Sequence, residues 1–552
     1  MPFTSDLWGP SATSLIGKGL GYLVLIGLIA FFYRLYQMRM MLRRVQRDYD
    51  IPILPHSFLF GHLVILAKLS IKYGIPRDAH GHWVFHHLRK EYPDIINKGI
   101  MYMDPWPIGY PLIAVYDPGM MAQFTQENSL PKFWALGKVE FGDVTEGEDL
   151  LNLDGQEWKT ARSIFNPGFS ARNLLSLVPN MMEEVLIFRE RLRRAAISGQ
   201  VVRLEDYTTD IAVDIIGYAV LGARLETQTK PNRLMETMKS QISMMYFELD
   251  LKKLLNPIRI LKHRVYNRII RNELVPYLSK TAQNYEKIEG PKTVIALALK
   301  SYVKETQDYS ARGDIPLDFI ERVVKHIKIF MFAGHDTTAT VLAYIYYKLS
   351  KHPDKLAKIR AEHDEILGVD PKDAADHIRA DVTLLNKLPY TAAVLRETLR
   401  LYPPAGGSIR QSPPEHFITH PETGVRYPTH GFMIHSSAST IQRDPHYWPD
   451  ADQFIPERFM THDESDPLYP VKNTWRPFEM GPRACIGQEL VSVEVRLILA
   501  LTVREFQVEE AYAKDAPEWM GDKAYQIYNP EVVAAAHIKD GLPVKIKFSS
   551  PK

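Results

Sequence analysis

The sequence predicts a mainly α fold with a small β portion, built as one large domain behind an N-terminal transmembrane helix. Three observations predict it. Residues 19–33, GLGYLVLIGLIAFFY, carry no charge. Helical periodicity dominates the rest of the chain, whereas strand-like runs are few. No later stretch of the 552 residues reads as a flexible linker or a repeat.

The apolar run reaches back to Leu15 if Lys18 snorkels. That approaches the ~20 residues a helix needs to cross a bilayer. Arg34, Arg39, Arg43, Arg44 and Arg47 follow at once, whereas Asp6 and Lys18 are the only charged side chains before it. A cleavable signal peptide has its positive charge first, so the segment predicts a single-pass anchor with the body of the chain in the cytosol. Residues 1–48 are expected to form this anchor and a basic linker, and residues 49–552 a single domain. Prolines in DYDIPILPHSFLFGHL (48–63) fix the backbone where the two meet.

Within the domain, PLIAVYD (111–117) and LPVKIKF (542–548) read as strands. Helices are expected over EWKTARSIF (157–165), from about Pro316 to Ser350, and over PDKLAKIRAEHDEIL (353–367). LPYTAAVLRETLRL (388–401) and the run from just after Cys485 to about Glu505 complete them. Prolines crowd the region from Pro403 to Pro477, which predicts an irregular wrapped coil.

Composition excludes several classes. Hydrophobic residues make up 45% and charged residues 24%, which is ordinary globular usage. The net charge is +2, from 67 basic against 65 acidic side chains, and no basic run is interleaved with aromatics, so no nucleic-acid partner is expected. A single cysteine excludes an internal disulfide and a Cys-rich structural zinc site.

That cysteine lies in FEMGPRACIG (478–487). Gly481 and Gly487 bracket it, Pro482 stiffens the approach, and an amphipathic helix, GQELVSVEVRLILAL, follows. A sulfur at a helix N-terminus meets free N–H groups and the positive end of the dipole, which favours thiolate. Arg483 adds a cation or reaches an anion. Such a thiolate is a nucleophile or a metal ligand.

Three further patterns stand out. AGHDTT (333–338) places polar groups inside the apolar run IKIFMFAGHDTTATVLAYIYY, where each is costly unless hydrogen-bonded. Glu397 and Arg400, in LRETLRLYPP, are three apart on a helix; on a surface they would be an ion pair worth a few tenths of a kcal/mol. Trp158 and Arg162, four apart, share a helix face.

Phe478, Gly481, Arg483, Cys485 and Gly487 fit F-x-x-G-x-R-x-C-x-G, and through this loop the chain resembles the cytochrome P450 superfamily. The resemblance implies a P450-like haem-thiolate domain, with Cys485 as axial ligand of the iron of haem b. It implies that Glu397, Arg400 and Arg458 (in FIPERF) form a structural network. It implies that Ala333 and Gly334 leave room for dioxygen and that Asp336 and Thr337 supply protons, with no role for His335. Trp158, Arg162, Arg410 and Arg483 are the implied partners of the haem propionates.

The implied function is a membrane-anchored monooxygenase that inserts one oxygen atom into a lipophilic substrate. No G-x-G-x-x-G follows a strand, so electrons from NADPH would arrive through a separate flavoprotein reductase. AGHDTTAT and LSKHPDKLAKIRAEHDEILG resemble fungal microsomal members that tailor secondary metabolites, which implies the endoplasmic reticulum membrane. Desaturation or rearrangement at the same site, a haem-binding gas sensor, and a thiol hydrolase using Cys485 are the competing readings. Pocket shape is expected from residues 134–150, 225–260, 405–409 and Phe330–Ala333, with QISMMYFEL (241–249) as an apolar roof.

Overall fold

The computed structural model of the chain describes residues 10–137, 141–245, 256, 258–283, 292–306, 317–528 and 535–549. It opens with a 40-residue helix, Pro10–Tyr49. Residues 16–33 of this helix are exposed, and it is long and apolar enough to cross a membrane. The basic stretch read as a linker continues the same helix. Leu35, Met38, Arg39, Leu42 and Val45 recur at helical spacing and are buried against the body, while Arg34, Arg43, Arg44 and Arg47 face outward.

Arg39 fastens this helix. Its guanidinium donates to the carbonyls of Phe58 (2.9 Å), Leu59 (3.1 Å) and Trp106 (2.9 Å) and pairs with Asp104. Burial works to raise the pKa of Asp104, but the hydrogen bonds from His56 and Arg39 win and lower it.

At the centre lies the helix Leu317–Lys351, which packs along Leu204–Leu221. Leu342, Ala343, Tyr344 and Ile345 are fully buried there, and the Tyr344 hydroxyl donates to the Ala524 carbonyl at 2.9 Å. Proline at the first position starts the helices Pro353–Leu367 and Pro389–Leu401. Gln488–Thr502 ends three residues short of Glu505, because the chain turns there into a strand beginning at Phe506.

Among the described residues the strands are short: β1 (Ile100–Met103), β2 (Leu112–Val115), β3 (Val201–Arg203), β4 (Ile409–Gln411), β5 (Phe417–Thr419), β6 (Arg426–Pro428), β7 (Met433–Ser436), β8 (Phe506–Glu510), β9 (Gln526–Tyr528), β10 (Ala536–Ile538) and β11 (Pro543–Phe548). The main sheet has the order β1-β2-β7-β4; β2 runs parallel to β7, with Leu112 opposite Met433 and Val115 opposite Ser436. β3, β11 and β8 form a second sheet, and β5–β6 and β9–β10 are two-stranded. The region from Pro403 to Pro477 is therefore less irregular than its prolines suggest. It contributes four strands of three or four residues, β4 paired with β7 and β5 with β6, all within the region.

Candidate functional site

The loop before the helix Gln488–Thr502 is shaped by its hydrogen bonds. The Cys485 N–H donates to the Phe478 carbonyl at 2.9 Å, and the Ala484 N–H to Gly481 at 3.0 Å. Gly481 has φ +85°, and a Cβ there would fall 2.2 Å from the Thr125 carbonyl oxygen, so backbone passes directly against backbone. Phe478 packs at the edge of the core beside Trp475, with ring centroids 5.9 Å apart.

Cys485 is exposed by area yet enclosed by the fold, because its surface opens onto an internal cavity of ≈ 350 Å³. Burial pushes the thiol pKa up, against the opposing pull of the Gly487 and Gln488 N–H groups and of Arg162. The helix terminus acts in the expected direction, but burial outweighs it.

The central helix supplies another part of the wall. Ala333 is exposed in the middle of this buried helix only because it faces the same cavity, as do Gly334 and Thr337. The Thr337 hydroxyl donates to the Ala333 carbonyl at 2.8 Å. Gly334 has a packing reason of its own: a Cβ would come within 2.9 Å of Ile216 Cγ1, on the neighbouring helix Leu204–Leu221. His335 is buried, with Nδ1 2.6 Å from the Met331 carbonyl.

Asp336 turns off the cavity. Its Oδ1 lies 3.3 Å from Nε2 of His537, and His537 Nδ1 lies 2.9 Å from Glu205 Oε1. Burial works against charge on His537, but Asp336 and Glu205 prevail and raise its pKa to about 10. Sequence reasoning missed Glu205 and His537, since they lie 131 residues before and 201 residues after Asp336 with no local motif around either.

Basic side chains ring another part of the cavity: Lys132, Arg162, Arg476 and Arg483 line it. Burial pushes the Lys132 pKa well below its ordinary value, and Arg410 and Arg483 push the same way. Arg410 stands beside Lys132 through a β-bridge, with its Nε and one terminal N–H group unpartnered. Arg483 pairs with Asp154, stacks 4.3 Å above the Trp158 ring and keeps one unpartnered nitrogen. Burial brings its pKa down to about 10. Lys132 and Arg476 were not singled out from the sequence, where neither belongs to a spaced pattern.

This donor set fits haem. A soft sulfur opens on an apolar cavity, and orphaned cationic N–H groups beside it suit two carboxylates. Ile216, Phe330, Leu150, Ala405 and Gly407 form part of the remaining lining. Of the stretches expected to shape the pocket, 138–140, 246–255 and 257 lie outside the described residues, including part of QISMMYFEL. Met238, Gln241, Ile242 and Met245 instead line a separate narrow gap with Phe141 and Phe332.

Glu397 and Arg400 are fully buried and joined by two hydrogen bonds of 2.7 and 2.8 Å. Arg400 also donates to the carbonyls of Gln442 (2.7 Å), Ala451 (2.7 Å) and Gln453 (3.0 Å). Arg458 Nε lies 3.5 Å from Glu397 Oε1, and the Ile455 N–H donates to the same oxygen at 2.8 Å.

A sequence profile described as cytochrome P450 matches residues 60–531. The chain is 33% identical over 539 residues to cytochrome P450 monooxygenase polC of Polytolypa hystricis, covering 96% of this chain and 94% of that protein. It is 32% identical over 503 residues to cytochrome P450 monooxygenase acrF of Aspergillus aculeatus, covering 85% and 98%. A cytochrome P450DA heme domain shares the fold, with a TM-score of 0.68 at 19% identity over 91% of this chain and 97% of that one.

Proposed function

The chain belongs to the cytochrome P450 family and is an oxidoreductase of the monooxygenase class, and from that premise we propose that it is a membrane-anchored haem-thiolate enzyme that inserts one oxygen atom into a lipophilic substrate. The observation that carries this reading is the placement of the single cysteine. Cys485 opens on a cavity that Ala333, Gly334 and Thr337 also line, with cationic side chains along its wall.

Haem b, when bound, supplies the chemistry of dioxygen reduction and oxygen transfer. Cys485 would hold its iron. Arg162, Arg410, Arg483, Trp158 and Lys132 would hold its carboxylates, and Phe478 and Gly481 would keep the sulfur in register. Thr337 would orient a proton donor at the cavity, and Asp336 would supply the proton. Ala333, Ile216, Phe330 and Leu150 give the substrate an apolar surface and exclude bulk water.

The electrons would come from NADPH through a separate flavoprotein reductase. The exposed apolar half of the first helix supports anchoring in the endoplasmic reticulum membrane with the catalytic domain in the cytosol. Two fungal relatives at 33% and 32% identity support a tailoring step in secondary-metabolite biosynthesis.

The test is a metabolite comparison in the source organism between the intact gene and Cys485→Ala. An accumulated precursor lighter than the missing product by one oxygen atom is expected. An isomeric pair, or a loss of two hydrogens, would replace oxygen insertion by rearrangement or desaturation.

A further inference from the structure

Three concave surfaces meet along the first half of the central helix. Ile329 lines the cavity beside Cys485 and also the narrow gap of ≈ 10 Å³ closed by Phe141, Met238, Ile242 and Phe332. On its other side the gap shares Val144, Thr145 and Lys328 with a surface groove of ≈ 370 Å³. That groove runs between the helices Ile258–Gln283 and Leu317–Lys351.

Lys328 stands where groove and gap join, and it is 5% exposed. Its ammonium donates to the Val144 carbonyl at 3.0 Å and to Asn267 Oδ1 at 2.5 Å, which leaves its third N–H. Asn267 Oδ1 also accepts from Gln241 Nε2 at 2.6 Å, so polar side chains from three helices converge here. Among the described residues no carboxylate pairs with Lys328, because the acids around it have other partners. Asp143 pairs with Arg259, Glu146 and Glu148 with Lys325, and Glu321 with Arg271. A buried cation held by neutral acceptors alone is costly, and an oxyanion beside it offsets that cost.

We propose that Lys328 is a specificity-determining residue: it binds the carboxylate of a lipophilic acid whose apolar body passes through the gap into the cavity. The proposal rests on the lipophilic-substrate reading above and narrows it to acids. A carboxylate is favoured over a hydroxyl because a hydrogen bond between two charged groups is about twice as strong as a neutral one. The gap must widen to admit a hydrocarbon body, and Met238 and Met245, flexible and unbranched, are the lining side chains suited to yield. Thr337 lies nine residues beyond Lys328, about 13.5 Å along the helix at 1.5 Å per residue. The acid is therefore one oxidised at about that distance from its carboxylate.

The charge of Lys328 gives the site a pH dependence. Burial lowers its pKa from 10.5 to about 8, with Lys325 acting the same way and Glu146 and Glu321 opposing. His263, on Ile258–Gln283, has its pKa lowered by burial and is neutral at pH 7, and Arg268 and Arg271 on the groove wall stay charged throughout. The ammonium is thus charged at pH 7 and loses its proton as pH rises through 8.

The test measures binding to the full-length, haem-loaded protein by isothermal titration calorimetry, with dodecanoic acid and dodecan-1-ol as probes. At pH 7 the wild type is expected to bind the acid ~10-fold or more tightly than the alcohol, and Lys328→Gln to lose that preference. A preference that persists in Lys328→Gln overturns the proposal. In the wild type the preference should shrink between pH 7 and pH 9. A constant preference contradicts the role of the ammonium, and this reading stands even if Lys328→Gln does not fold. Ile329→Trp, which fills the gap, should weaken binding of both probes. Acid binding that survives it places the acid in the outer groove and overturns the proposal. A wild type that binds the alcohol without preferring the acid overturns the role of Lys328 alone, whereas one that binds neither probe counts against the lipophilic-substrate reading as well.

Discussion

Glu397 and Arg400 hold each other by two hydrogen bonds, 2.7 and 2.8 Å long, with no solvent access to either side chain. Their spacing is that of a surface ion pair, but the surroundings are not: the remaining guanidinium N–H groups go to backbone carbonyls, and Arg458 closes the other side. Removing one charge leaves the other buried and uncompensated. Glu397→Gln is therefore expected to cost about 3–5 kcal/mol of stability. The midpoint of urea unfolding measures it, and a loss below about 1 kcal/mol would contradict the burial seen here.

Gly334 and Ile216 form a second coupled pair. Gly334→Ala is expected to destabilise by about 1–3 kcal/mol through overpacking of the two long helices. Ile216→Ala removes the Cγ1 and Cδ1 atoms that the new methyl would meet, and the double variant should recover part of the loss. A thermal or urea cycle checks this, with a coupling energy of about 0.5 kcal/mol or more expected. Strict additivity would mean that glycine is needed only for space in the cavity.

The first helix divides at about residue 34. Deleting residues 1–33 removes the exposed apolar part and, of the contacts with the body, that of Phe31 with Trp106, and should leave a folded domain, partly released from membranes. Loss of Phe31 uncovers Trp106, whose ring centroid lies 4.9 Å from that of Phe31, and Ile108, Tyr110 and Trp134 remain exposed, so some residual membrane affinity is expected. Deleting residues 1–48 also removes Leu35, Leu42 and the Arg39–Asp104 pair, all buried. Several kcal/mol should be lost. Equal melting temperatures for the two truncations would contradict the packing of this helix.

Thr337→Ala should bind haem and consume reductant while forming product at least ~10²-fold more slowly, because a positioned proton donor is lost. Hydrogen peroxide release measured against NADPH oxidation reads this directly. Normal coupling would place proton delivery elsewhere.

Much of this was legible in the sequence because it is local. The helices Pro353–Leu367 and Pro389–Leu401 carry their own start signals, and the loop from Phe478 to Gly487 holds five diagnostic residues within ten. The buried stripe of Leu35, Met38, Leu42 and Val45 has helical spacing too, but the arginines between them masked it. What could not be read depends on distant pairing. The parallel match of Leu112–Val115 with Met433–Ser436 spans most of the chain, and β4, β9 and β10 are three residues each. His537 and Lys132 gain their significance only from what the fold places beside them. The Cys485 thiol shows the same division: the pull of the helix terminus toward thiolate is visible in sequence, but the burial that opposes it is not.

The most direct test of the central claim is X-ray absorption at the iron of the purified holoprotein, compared between wild type and Cys485→Ser. The account predicts haem iron with one sulfur neighbour in the wild type and none in the variant. Iron with only nitrogen and oxygen neighbours in the wild type, or a sulfur neighbour surviving in Cys485→Ser, would contradict it.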